Sequence, residues 1–179
     1  MKPAKTYEKP TWKSYLNSKG VLNYGIPTAV ICLVIYYFLR GDDVLYTAVG
    51  SDLWISVFVT VFICAITGIP GVASDVKKNK APEMPLDKAV HPAFKHLSNN
   101  LLIQSLQIAF YATLIFAMIP GGIFATIAAM SQNPDLAINA NLYWVLKSLY
   151  SGLFVAVSIK HATYVAVAQR QSTMGTRVY

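Results

Sequence analysis

Charge is what this sequence has least of: Asp, Glu, Lys and Arg together make up 13% of its 179 residues, about half the share usual in soluble proteins. Those few charges are clustered, and long stretches carry none. A chain of this kind cannot hide its apolar lengths in a water-facing fold and must place them in lipid. Cysteine is nearly absent as well. Cys32 and Cys64 are the only two, and no CxxC exists. Each lies near the middle of an apolar stretch, so neither a disulfide framework nor a thiol redox centre is expected and both read as small hydrophobes.

Catalytic signatures are missing too. There is no GxSxG, no HExxH and no glycine-rich phosphate loop, which leaves an enzyme as the least favoured class. His91, His96 and His161 are the only histidines. Acidic neighbours are few and no bis-His pair faces across two spans, so no metal, haem or other cofactor is expected. The net charge of +7 could suggest nucleic acid, but base-stacking motifs are absent and the lysines flank apolar segments as topology signals do. No nucleic-acid partner is expected; the bilayer is the partner that composition implies.

What is present is apolar length. Hydrophobic residues make up 55% of the chain. A helix rises about 1.5 Å per residue and a hydrocarbon core is about 30 Å thick, so about 20 uncharged apolar residues cross it. Four stretches qualify. The predicted fold class is therefore all-α, a polytopic membrane protein with four transmembrane helices in two antiparallel hairpins.

Residues 1–20 form a basic interfacial segment in which Trp12, Tyr15 and Leu16 alternate with lysines. Residues 21–73 form the first hairpin, with spans at 21–39 and from 52 or 53 to 73. The first span is expected to be retained, because no convincing small-residue cleavage site follows it. Residues 74–99 form a basic loop in which Leu86, Val90, Ala93 or Phe94, and Leu97 recur near helical spacing, as in a short surface-lying amphipathic helix broken near Pro92; a solvated loop is the alternative. Residues 100–168 form the second hairpin, with spans at 100–130 and 142–168, and 169–179 is a tail. Pro120-Gly121-Gly122 should either kink span three or end it before a re-entrant piece. On these boundaries no Asp or Glu falls inside a span.

Orientation follows from lysine and arginine. The first 20 residues and the central loop carry ten Lys, the tail adds Arg170 and Arg177, and the other two connectors carry only Arg40. Positive charge is retained on the cytoplasmic side, so both termini and the central loop are expected there, in a bacterial-type inner or plasma membrane.

Two patterns inside the spans bear on function. Small residues recur every fourth position: Ala109, Thr113, Ala117, Gly121 and Ala125 in span three, and Ser148, Gly152 and Ala156 in span four. Such ridges let helix backbones approach closely, and spans three and four are expected to make the tightest contact, with each other or with a second subunit. Polar residues form a second stripe: Asn100, Gln104, Gln107 and Tyr111 on span three, and Lys147, Ser151, Ser158 and His161 on span four. Gln107 and His161 fall at similar depth, within reach of a hydrogen bond. Lys147 and Lys160 lie near enough to helix ends to snorkel.

The stripe is either a polar pathway or a set of hydrogen bonds that join helices. The first reading implies an oligomeric component for ion or small-solute permeation or transport. The second implies an accessory, assembly or immunity-type subunit. Either way the chain is expected to be a homo-oligomer or to bind another membrane protein.

Overall fold

The computed structural model describes residues 9–39, 42–83, 97–133 and 135–175. It is mostly helical, and four of its helical stretches are long and apolar enough to cross a membrane: Trp12–Phe38, Tyr46–Lys77, Leu101–Ser131 and Ala140–Arg170. The amphipathic helix expected between Leu86 and Phe94 lies outside the described residues.

Span one is built from α1 (Trp12–Leu16), a π-helical segment (Asn17–Gly25) and α2 (Ile26–Leu39). Thr11 caps its start by accepting from the Ser14 amide. The π segment ends just before Pro27, with the Ile26 amide donating to the Val21 carbonyl five residues back. Proline has no amide and its ring crowds the carbonyl four residues earlier, which favours the wider turn there. That turn has a packing consequence. In an α-helix, Gly20 and Gly25 would lie about 140° apart at 3.6 residues per turn; an i to i+5 turn brings them towards one face.

Span two is α3 (Tyr46–Lys77), which runs through Pro70. Span three is α4 (Leu101–Phe116) followed by α5 (Met118–Ser131), with Asn100 capping the start through its side-chain oxygen. The two helices meet at Ala117 (φ −113°), so the proline–glycine cluster kinks the span and does not end it. Pro120 cannot donate to the Phe116 carbonyl four residues back. The Tyr150 hydroxyl donates to that carbonyl instead, at 2.8 Å. Span four is α6 (Ala140–Gly175), longer at both ends than the 142–168 expected.

The two connectors at the end of the bundle remote from the termini pair with each other. β1 (Val44–Leu45) and β2 (Ala137–Ile138) form a two-residue antiparallel ladder with Val44 opposite Ile138. The Tyr46 amide donates to the Leu136 carbonyl at 3.0 Å, and Asp43 accepts from the Ala140 amide at 2.9 Å. An anionic cap on a helix N-terminus is favourable, so a residue of the first connector fixes the start of span four.

Spans two and four pack together along the middle of the bundle, span one lies mainly on span four, and span three lies mainly on span two. The interior is a column of fully buried apolar side chains, including Val57, Val61, Phe154, Val155 and Val165. Large apolar residues such as Phe38, Ile55, Leu149 and Met130 are exposed, as suits a lipid-facing exterior.

Within one chain, the expectation that spans three and four pack most tightly against each other is corrected. They touch lightly, and each small-residue ridge is met by glycine on another span. Ala109, Thr113, Ala117 and Gly121 are buried, with α4 and α5 packed on span two and Gly121 against Gly50; Ala125, beyond the kink, is exposed. Ser148, Gly152 and Ala156 are buried too, and the latter two lie against span one. A methyl on Gly152 would sit 2.8 Å from the Gly25 carbonyl and from Ala29 Cβ; one on Gly20 would sit 2.6 Å from the Ala156 carbonyl. The ridges choose the partners that are themselves smooth.

Candidate functional site

Residues spaced four apart on three helices converge about 10 Å below the β1–β2 end, judged at 1.5 Å per residue. α2 supplies Cys32 and Tyr36, α3 supplies Asp52 and Ser56, and α6 supplies Tyr143, Lys147 and Ser151. Lys147 Nζ lies 2.5 Å from Asp52 Oδ2, with the Lys147 side chain 3% exposed and that of Asp52 34% exposed. The Tyr143 hydroxyl donates to the same carboxylate oxygen.

Aromatic rings complete the enclosure. Lys147 Nζ is 4.9 Å from the Tyr36 ring centre, 4.9 Å from that of Trp144 and 5.8 Å from that of Tyr143, all within cation–π range. Tyr36 and Trp144 stack at 4.7 Å. Ser56 sits beside the Tyr36 hydroxyl and Ser151 beside the Cys32 thiol. The Ser151 hydroxyl itself donates to the Lys147 carbonyl at 2.7 Å. A buried ammonium is thus held by one carboxylate and three ring faces.

This geometry corrects two expectations. Asp52 is not at a helix boundary: α3 begins six residues earlier, so the carboxylate lies within a helix long and apolar enough to cross a membrane. Lys147 does not snorkel to the surface, because Asp52 offers it a nearer partner than bulk water. Of the residues in this cluster, sequence reasoning named Lys147 and Ser151. It missed Asp52, Tyr36 and Tyr143, although Tyr143, Lys147 and Ser151 repeat every four residues.

The remaining stripe residues lie elsewhere. Gln104 is buried and donates to Gln169 Oε1 at 2.9 Å, and Gln169 donates to the Leu97 carbonyl at 3.0 Å. Gln107 accepts from the Ser98 amide at 2.8 Å. These amides tie the entry to span three onto the far end of span four. Tyr111, Ser158 and His161 line a groove between α4 and α6. Between the Lys147 cluster and these groups stand Phe154 and Val155, both fully buried, so among the described residues the polar side chains form separate clusters at different depths.

Among the described residues, no three His, Cys, Asp or Glu side chains converge as a metal site would require. The cluster can hold charge, exchange a proton between oxygen and nitrogen, or release its ammonium to a competing cation. It has no nucleophile–base pair. Comparison with protein-family models, with curated proteins and with solved structures finds no match.

Proposed function

We propose that this chain is one subunit of an oligomeric membrane assembly that moves an ion or small solute, with Asp52 and Lys147 as its charge-bearing site. The topology belonging to this reading is two antiparallel hairpins, with both termini and the basic central loop on the cytoplasmic side of a bacterial-type plasma membrane. The ion pair would then sit near the outer margin of the hydrocarbon.

The observation that carries the proposal is the Lys147–Asp52 pair itself. Ionisable groups inside a membrane are costly and are retained chiefly where they handle charge or bind one another. Asp52 keeps a third of its side-chain surface open, so a cation can approach it and compete with the ammonium. The apolar column around Phe154 supports an assembly over a lone pore, since one copy offers no continuous polar track among the described residues.

A second reading, an accessory or assembly subunit that binds a different membrane protein, is favoured by that same interruption. There the ion pair only clamps spans one, two and four. Flux assays on protein reconstituted in liposomes separate the two. Transport predicts that Asp52→Asn abolishes flux and that Asp52→Asn with Lys147→Met restores folding without restoring flux. Copurification of native protein with a different membrane protein, and no flux in its absence, would sink the transport reading.

A further inference from the structure

The groove between α4 and α6 lies on the other side of Phe154 from the ion pair and is a different kind of place. Its volume is about 390 Å³, within the range of small-molecule sites. Ile115, Phe116 and Val157 supply apolar walls, and Tyr111, Ser158 and His161 supply the polar groups. It opens to the outside of the bundle: Tyr111 is 50% and Ile115 56% exposed. The groove exists because span three rests on span two and stands away from span four.

Ser158 is the informative member. Its residue is 5% exposed and its hydroxyl has no hydrogen-bond partner among the described residues. On the same helix Ser148 bonds the Trp144 carbonyl and Ser151 the Lys147 carbonyl, whereas Thr163 on α6 and Ser105 on α4 share Ser158's lack of a partner without lining this groove. An unpaired hydroxyl in an apolar setting is unfavourable by about 1–3 kcal/mol unless something pairs with it. Ser158, His161 and Tyr111 all carry hydrogen-bond donors. Among the described residues no Lys, Arg, Asp or Glu lines the groove, which favours an uncharged ligand over one with a phosphate or ammonium headgroup.

We infer that this groove binds a membrane quinone, an uncharged ring that presents carbonyl acceptors to these donors and lays its chain along Ile115 and Val157. The site is independent of Asp52 and Lys147, and binding is expected whether or not the chain takes part in transport.

Decylubiquinone binding to the full chain in phosphatidylcholine nanodiscs tests this. Saturable binding close to one per chain is expected, weakened about tenfold or more by Ser158→Leu and by Ala112→Phe, which fills the groove floor. Thermal unfolding reports whether each variant is folded. Decylbenzene, which has the chain but no carbonyls, should compete poorly with decylubiquinone on the unaltered protein, a readout that needs no variant. Absence of saturable binding, or equal competition by decylbenzene, overturns the inference. So does a photo-reactive group at Ile115 that crosslinks a different membrane protein in native membranes, for the groove would then hold a helix.

Discussion

Asp52 and Lys147 are unequal partners, and the inequality is measurable. Lys147 is almost wholly enclosed, whereas Asp52 keeps a third of its surface. Removing the carboxylate strands a buried ammonium; removing the ammonium leaves a carboxylate that solvent or headgroups can still reach. Breaking a fully buried pair is destabilising by about 3–5 kcal/mol, and the exposure of Asp52 places this pair at the lower end. Asp52→Asn should therefore be destabilising by about 3 kcal/mol and Lys147→Met by about 1 kcal/mol, with the double variant closer to the parent than Asp52→Asn alone. Unfolding in a denaturant titration in mixed micelles checks the order. Equal losses from the two single variants would show that the cage of Tyr36, Tyr143 and Trp144 holds the ammonium even without its carboxylate.

At the scale of elements, glycine decides which helices meet. Span one reaches span four through Gly20 and Gly25, and span four answers with Gly152 and Ala156. Backbone stands against backbone there, so added volume cannot be absorbed by a rotamer change. Gly152→Val should be destabilising by at least about 2 kcal/mol through overpacking. Gly122→Val, whose new Cβ meets nothing within 4 Å, should be much milder and reflect β-branching alone. A pair of melting curves in detergent settles the comparison.

The ridges on spans three and four were legible in the sequence as every-fourth-residue patterns. Their partners were not. Gly20 and Gly25 are five apart, a spacing that only the π turn turns into a shared face, and Gly50 stands alone with no repeat to flag it. Asp52 was hidden for a related reason. Hydropathy marks where lipid begins, whereas helix α3 starts at Tyr46, so a residue two turns in was read as an edge. The number of spans could be read from composition, and Pro120 marked a kink or an end; the helix starts and their neighbours required three dimensions.

For the whole molecule, four spans and one fastened rim make a statement about sidedness. Cysteine placed near Lys78 and cysteine placed near Asp135, each in a chain lacking Cys32 and Cys64, should label from opposite sides of intact cells. Reaction of both with the same impermeant reagent would refute four crossings. Because Val44 pairs with Ile138 and Asp43 caps α6, the labelled Asp135 side should also be the more protected in hydrogen exchange once the spans are solubilised.

The β1–β2 ladder has one more implication. It joins the two halves of the chain at one rim, as the Gln104–Gln169 bond joins them near the other. Span three is therefore pinned to span four close to both of its ends, like a bow to its string. Whatever parts those two helices must bend them between two fixed points and cannot swing one end open.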